Sequence, residues 1–218
     1  MVHLYALADH PARLPGRVGI GDAPLEAAEA DGIDAVFSER AVEAEATEET
    51  ILAHARVVEE LAALNDAVLP ARLAAPYETE VALVDAVRRR APQLQGALER
   101  VRGCVEMGVR VVQQANGGHR ERASGRDYMR GRLAAIQSAE RLADELDEAV
   151  RPVARDSARG VTATSQLVVS AAYLLPRPGV DSFRAAVAQL ARQHPDLDYV
   201  CVGPWPAYSF VLVDGGRP

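Results

Sequence analysis

Hydrophobic positions in the first half of the chain change between strand-like and helical spacing. They form continuous or alternating runs at residues 2–8 and 33–37, which predicts two strands joined through a loop rich in proline and glycine. After Thr47 the spacing becomes helical, and a threonine followed by two glutamates is typical of a helix start. This predicted helix ends near Asn65. Its apolar positions are Ile51, Ala55, Val58 and Ala62.

One short extended segment and two more helices are predicted before the middle of the chain. The segment "AVLPARLA" contains a proline, which an edge strand or an extended connection tolerates. Helical spacing returns over residues 81–90 and again at Leu94, Leu98 and Val101, with Pro92 between the two predicted helices. Residues 1–103 are therefore expected to form an N-terminal α+β domain.

The second half alternates strands with amphipathic helices. The run "CVEMGVRVVQQ" alternates apolar and polar residues, which predicts a half-buried strand. Ser124 and Asp127 resemble a capping box at the start of a long helix, and a shorter helix is predicted after residue 179. The apolar stripe of the long helix is Met129, Leu133, Ile136, Ala143, Leu146 and Val150, and that of the shorter one is Val180, Phe183, Val187 and Leu190.

Further strands are predicted near residues 161–164, within 166–175, at 198–202 and at 207–213. With residues 198–202 and 207–213 together completing the sheet, the resulting order is β-α-β-β-α-β. This order predicts a ferredoxin-like domain over residues 104–218, with an antiparallel sheet and helices on one face. The fold class expected for the whole chain is therefore α+β with two domains.

Composition and charge exclude several classes of function. The chain has 218 residues, 49% of them hydrophobic, and 31 acidic residues outnumber 24 basic ones. A nucleic-acid partner is not expected, because binding phosphates needs a basic surface. No apolar run approaches the ~18 residues of a membrane span, and the first ten residues lack the pattern of an export signal. The expected location is the cytoplasm, with no membrane partner.

No motif predicts catalysis, a metal or a cofactor. The string "GRVGIG" lacks the lysine and hydroxyl residue of a phosphate-binding loop. Cys104 and Cys201 are predicted to be reduced, because disulfides are rare in the cytoplasm. The protein is therefore predicted not to be an enzyme. The five histidines lack the paired spacing of a zinc site: His3, His10, His54, His119 and His194.

The string "GPWPAYSF" at residues 203–210 holds the one tryptophan of the chain between two prolines. Because proline has no amide hydrogen to donate, Pro204 and Pro206 predict an edge strand that cannot carry a normal ladder there. Tyr208 and Phe210 are two residues apart, which predicts one shared, core-facing side. Trp205 points to the other face and is the better candidate for a partner contact.

Several strings in a fixed order resemble a known family. They are "VHLYALA", His54 ahead of "VVEEL", "AVLPARLAAPY", "LERVRGCVEMGVRV", "SAAYLLPR" and "GPWPAYSFV". Together they make nearly the whole chain similar to the gas vesicle accessory proteins of the GvpL/GvpF family. The residues that form this signature or are candidate partner contacts are Leu69, Pro70, Arg72, Glu106, Gly108, Pro204, Trp205, Pro206 and Tyr208.

Two strings depart from the family pattern. The family commonly has Leu-Pro-Met-Arg-Phe-Gly where this chain has Leu-Pro-Ala-Arg-Leu-Ala at residues 69–74, so a contact through the aromatic or the glycine is absent. Ala207 replaces a third proline in the last string, which is expected to loosen that segment slightly.

The resemblance implies a role in gas vesicle formation rather than catalysis. It implies an accessory or minor structural protein, located in the cytoplasm and on gas vesicles, without a cofactor. The implied partners are the small, very hydrophobic shell protein and other accessory gas vesicle proteins. Exposed apolar strands and edges of a free shell subunit would pair indiscriminately, so binding that subunit during assembly is the implied mechanism. Self-association stays open.

Two rival hypotheses come from other classes of protein. One is a regulatory domain that binds a small molecule in a pocket lined by Trp205, Tyr208 and Arg72. The other is an enzyme with scattered functional residues, for which Glu106, Arg110 and His54 are the candidate set. Burial of Glu106 and His54 close together in an open cleft would favour the enzyme. A flat apolar or edge-strand surface would favour the assembly role.

Overall fold

A computed structural model describes residues 1–40, 45–73, 76–113, 125–160 and 167–211. These residues form a mixed α+β fold with two sheets and five α-helices. The chain divides into two compact units, Met1–Cys104 with the segment that begins at Trp205, and Val105–Pro204. None of the helices in the described ranges is long and apolar enough to cross a membrane.

A central strand organises the sheet of the first unit. The strands are β1 (Val2–Asp9), β2 (Glu26–Ala30), β3 (Ile33–Glu39), β4 (Val68–Pro70) and β5 (Pro76–Tyr77). β1 pairs antiparallel with β3 on one side and with β4 and β5 on the other, and β2 pairs antiparallel with β3. The strands predicted at residues 2–8 and 33–37 and the extended segment before Ala71 are confirmed.

The hairpin between β2 and β3 was missed. Asp31 and Gly32 form its turn, with φ values of 52° and 79°. Positive φ at both central residues is what a two-residue type I′ turn requires, and Asp-Gly is a favoured sequence for it. The alanine-rich strand β2 has only weak β propensity, which explains why its hydrophobic pattern gave no prediction.

Three helices pack in the first unit: α1 (Glu48–Leu64), α2 (Glu80–Arg89) and α3 (Ala91–Val101). Thr47 caps α1 as predicted, in a capping box with Thr50. The buried face of α1 is His54, Val57, Val58 and Leu61. The predicted apolar face is therefore wrong at Ile51, which is exposed. Pro92 lies in the first turn of α3 rather than between helices, a position that tolerates its missing amide hydrogen.

The second unit contains four strands and two helices in its described residues. They are β6 (Cys104–Gln113), α4 (Gly125–Val150), β7 (Asp156–Gly160), β8 (Leu167–Pro176), α5 (Val180–Ala191) and β9 (Leu197–Trp205). The strand order in the sheet is β7-β8-β6-β9, and β7 pairs antiparallel with β8. Strand β9 is therefore at an edge. The edge location predicted from the two prolines is confirmed for Pro204, which lies in β9, whereas Pro206 follows the end of the strand.

Both helices of the second unit pack on one face of its sheet. Met107, Val109 and Val111 of β6 point to this face because strand residues alternate between faces. The other buried members of this core come from β8, from the second half of α4 and from α5: Val169, Ala171, Tyr173, Leu175, Leu142, Ala143, Leu146, Val150, Phe183, Val187 and Leu190. Glu106 and Gly108 consequently lie on the opposite face.

The structure corrects several predictions in the second half. Met129 and Leu133 are exposed, so the first half of the predicted α4 stripe is not part of the core. The structure has a strand at β7, just before the predicted range 161–164. The range 161–164 itself lies outside the described residues, and so does Ser124 of the predicted capping box. The polar sequence of β7 carries no hydrophobic alternation that could have marked it.

The end of the chain also differs from the expected strand at 207–213. Tyr208–Phe210 form a 3-10 turn in which the Phe210 amide donates to the Ala207 carbonyl. Just before it, the Tyr208 amide donates to the Pro206 carbonyl two residues back, as in a γ-turn. Leu212 and Val213 lie outside the described residues. The segment from Trp205 groups with the first unit, which differs from the expected assignment of all residues 104–218 to one domain.

Candidate functional site

The segment Gly203 to Phe210 separates buried anchors from exposed aromatic rings. Pro206, Ala207 and Phe210 are buried. Trp205 is 45% exposed and Tyr208 is 39% exposed. The prediction of a core position is therefore confirmed for Phe210 and wrong for Tyr208, because the 3-10 turn removes the alternation that a strand would have imposed.

Phe210 fixes this segment in the first unit. The guanidinium carbon of Arg100, on α3, lies 5.7 Å from the centroid of the Phe210 ring, within the range of a cation–π contact. Two backbone hydrogen bonds, donated by the amides of Tyr208 (2.8 Å) and Phe210 (3.2 Å), further constrain the segment. The exposed rings of Trp205 and Tyr208 are thus carried by an anchored backbone.

The Leu-Pro-x-Arg string occupies the edge of the first sheet. Leu69 and Pro70 are buried and pair in register with Leu7 and Ala6 of β1. The Ala71 amide donates to the Tyr5 carbonyl at 2.8 Å, so the string continues the β1 pairing by one more bond. Arg72 follows with an exposed side chain. The first two residues therefore position the segment, and the arginine faces solvent.

A buried polar cluster lies beside this string and was not predicted. His54 Nε2 donates to the Ala71 carbonyl at 3.0 Å, which leaves Nδ1 of the neutral ring to accept from His3 Nε2 at 2.9 Å. The Tyr5 ring stacks on His54 with centroids 5.4 Å apart. The Tyr5 hydroxyl bonds to Ser38 Oγ at 3.0 Å and accepts the Ile20 amide at 2.8 Å.

Burial keeps both imidazoles of this cluster neutral. Desolvation, with the nearby His54 and Arg40, lowers the pKa of His3 to about 4. Desolvation also lowers the pKa of His54, although its hydrogen bond to the Ala71 carbonyl acts in the opposite direction. Both side chains are only 4% exposed, which suits a structural bond between β1 and α1 rather than contact with a substrate. A histidine inside the apolar run "VHLYALA" was the available signal for His3.

Glu106 and Gly108 lie on β6 in the second unit, and both are half-buried. A Cβ added at Gly108 would lie 2.8 Å from Val202 Cγ2 on the neighbouring strand β9. Real side chains do not approach so closely, so Val202 needs a glycine opposite it. The glycine of this string therefore has a packing role at the β6–β9 pair.

The two rival hypotheses gain no support from these positions. His54 belongs to the first unit, whereas Glu106 and Arg110 belong to the second, and the ring nitrogens of His54 bond to His3 and to the Ala71 carbonyl. The side chains of Trp205, Tyr208 and Arg72 are all exposed, unlike the lining of an enclosed ligand pocket. Among the described residues no group of three or more His, Cys, Asp or Glu could hold a metal ion.

Comparisons with known proteins agree on one family. The family model described as gas vesicle synthesis protein GvpL/GvpF matches residues 1–212. Gas vesicle protein F2 of Halobacterium salinarum is 26% identical over 150 residues, which cover 69% of this chain and 61% of that protein. Gas vesicle protein F of Haloferax mediterranei is 25% identical over 175 residues, covering 79% of this chain and 74% of that protein. The chain thus spans about three fifths of the first relative's length.

Two crystal structures share the fold. The gas vesicle protein GvpF from Anabaena sp. PCC7120 superposes with a TM-score of 0.82 at 17% identity, over 100% of this chain and 98% of that one. The gas vesicle protein GvpF from Microcystis aeruginosa superposes with a TM-score of 0.78 at 16% identity, over 97% and 99% of the two chains. The resemblance found in the sequence is confirmed.

Proposed function

This chain belongs to the GvpL/GvpF family of gas vesicle synthesis proteins, and we propose that it takes part in gas vesicle formation by binding the hydrophobic shell protein during assembly. It acts as an accessory or minor structural protein, in the cytoplasm and on the vesicle. Other accessory gas vesicle proteins are further partners in this proposal.

The exposed rings of Trp205 and Tyr208 carry the proposal. Their backbone is held by buried Pro206, Ala207 and Phe210, so presenting the rings to a partner requires no rearrangement of the segment. Tryptophan and tyrosine dominate the energetics of many protein interfaces. Covering the exposed part of each ring with an apolar partner would contribute ~2 kcal/mol, at ~25 cal/mol per Å² of apolar surface.

The other signature residues divide into contacts and positioning residues. Arg72 and Pro204 are exposed and are proposed contacts. Leu69, Pro70 and Pro206 are buried, and they hold the strings that present those contacts. Gly108 is a positioning residue because Val202 packs over it, and Glu106 lies on the same face of β6.

The fold of the second unit enters the proposal as well. We infer that this unit is a ferredoxin-like domain, which its β-α-β-β-α-β order, its strand order and its two helices on one face support. In such a domain one sheet face has no helical cover. The residues Glu106 and Gly108 lie on the face of β6 opposite the two helices.

Alanine substitutions test the proposed contact. We expect Trp205→Ala and Tyr208→Ala each to weaken binding to immobilised shell protein by about 30-fold, the ratio that corresponds to ~2 kcal/mol. The matched control is Val81→Ala, which truncates an apolar side chain that is 69% exposed on α2 and is not part of the segment. Its affinity should equal that of the wild type.

Each outcome of this binding experiment decides one part of the proposal. Failure of the wild-type protein to bind the shell protein would reject the mechanism. Binding that is unchanged in both ring variants would assign the contact to another surface. An equal loss in the Val81 variant would show that general hydrophobic adhesion had been measured.

A further inference from the structure

We propose that copies of this protein associate head to tail through two exposed helical surfaces of opposite charge. The basic surface lies on the first half of α4 and consists of Arg126, Met129, Arg130, Arg132, Leu133 and Ile136. The acidic surface lies on α1 and consists of Glu48, Ile51, Leu52, Ala55 and Glu59. The partner that these surfaces fit is therefore a second copy of the same chain.

The basic surface combines apolar side chains with arginines. Met129 is 63% exposed and Leu133 is 57% exposed, one helical turn apart on the same side of α4. Ile136 continues the stripe and is half-buried. Exposed arginines flank this stripe at positions 126, 130 and 132. This part of α4 has three arginines and one acidic residue, within a chain of net charge −7.

The acidic surface likewise combines exposed apolar side chains with charged ones, which here are glutamates. Ile51 and Leu52 are both exposed, and Ala55 is half-buried one turn further along. Glu48 and Glu59 are exposed at the two ends of this patch. An open groove of about 570 Å³ runs beside the first turns of α1. Two acidic side chains and one basic side chain are in its lining, which is Thr47, Glu48, Glu49, Leu52 and Arg56. Such a groove offers space for side chains of a partner helix.

The two surfaces match in length as well as in charge. Each covers about three helical turns, which is ~16 Å at 1.5 Å rise per residue. Packing the apolar stripe of one against that of the other would bring the arginines of α4 near the glutamates of α1. Opposite charges around an apolar centre favour pairing of a basic with an acidic surface and disfavour pairing of surfaces of the same charge. Pairing two basic surfaces would instead place arginines against arginines.

Each copy carries one surface of each kind, so the contact is heterologous. A heterologous contact leaves one free surface at each end of a growing assembly, and it produces rings if the rotation closes and open filaments if it does not. The wild-type protein is therefore expected to form species larger than a dimer as its concentration rises. This inference does not depend on the proposed binding of the shell protein.

Mixing two inactivated variants tests the head-to-tail arrangement. Met129→Glu with Leu133→Glu removes the basic surface, and Ile51→Glu with Leu52→Glu removes the acidic one. All four substituted side chains are exposed, so the folded core should tolerate the changes. Each double variant alone should sediment as the 23.3 kDa monomer at every concentration. An equimolar mixture should form a dimer and nothing larger, because one intact pair of surfaces remains.

The control is Val81→Glu, which adds the same charge at an exposed apolar side chain outside both surfaces and should associate like the wild type. Circular dichroism and thermal melting establish that each variant is folded. A wild type that stays monomeric across the concentration range would overturn the proposal. So would a double variant that still associates alone, or a mixture that stays monomeric. This experiment needs only the purified protein and no shell protein. A negative result on self-association is therefore distinct from a failure to bind the shell protein.

Discussion

His3 and His54 are 51 positions apart in the sequence and share one buried hydrogen bond in the folded first unit. The two bonds of His54 fix which of its nitrogens carries the proton, because Nε2 donates to the Ala71 carbonyl and Nδ1 accepts from His3. Burying a cationic imidazole here would cost free energy, which is why the pKa of His3 falls to about 4. At neutral pH the pair is a structural element.

The lowered pKa makes the stability of the first unit depend on pH. The neutral ring is favoured by folding, so its contribution is fully present above the unfolded pKa of 6.5 and is lost as the pH falls towards 4. At pH 4 the free energy of unfolding should be lower by ~3 kcal/mol because of His3, at 1.36 kcal/mol per pKa unit. Urea unfolding followed by Trp205 fluorescence at pH 7 and pH 4 measures it.

His3→Phe supplies the comparison for that measurement. The variant should be less stable than the wild type at pH 7, because His54 loses its buried donor. Its stability should nevertheless fall less between pH 7 and pH 4. An equal fall in the two proteins would assign the acid sensitivity to other groups.

At the scale of elements, local signals placed most helices and strands but did not decide which surfaces they bury. The capping box at Thr47 marks the start of α1, and the alternation after Cys104 marks β6. The stripe of α4 is continuous by spacing, yet only its second half meets the sheet. Burial of a helical face depends on whether another element lies opposite, and spacing within the helix carries no information about that.

Substituting alanine for glycine should lower the stability of the protein at Gly32 and raise it at Gly96. Gly32 has a φ of +79° in the hairpin turn, and a Cβ there would meet no atom within 4 Å. Gly32→Ala should therefore cost ~1–2 kcal/mol through backbone strain alone. Gly96 lies in α3 with equally open space, so Gly96→Ala should stabilise the protein by up to ~1 kcal/mol.

Thermal or urea unfolding of the two alanine variants checks this prediction. Each variant serves as the control for the other, because the added methyl group has no atom within 4 Å at either site. A difference between the two variants therefore reports backbone conformation. A stabilised Gly32 variant would contradict the assignment of the Asp31-Gly32 turn.

The molecule as a whole consists of two α+β units, and the chain leaves the first at Cys104 and returns to it at Trp205. The last string of the family signature spans this return. Its buried anchors belong to the first unit, whereas Pro204 is the last residue of the second unit and lies within the edge strand β9. Trp205 and Tyr208, the two rings of the proposed contact, therefore belong to the first unit.

Deletion in a host that forms gas vesicles tests the role of the whole molecule. We expect vesicle yield to fall strongly on deletion and to return with the wild-type gene. The double variant Trp205→Ala with Tyr208→Ala should restore the protein level but not the yield, whereas Val81→Ala should restore both. Normal yield in a clean deletion, with no related copy in the host, would reject the function.

The sequence by itself determined the family, the helix start at Thr47, most strand positions and the edge location of the strand that contains Pro204. Each of these follows from neighbouring residues: proline lacks a donor, threonine caps a helix, and alternation marks a strand. Only the tertiary structure decided that His3 meets His54, that Tyr208 is exposed and that half of the α4 stripe faces solvent. Those outcomes depend on segments far apart in the chain, because burial is a property of what packs opposite a residue.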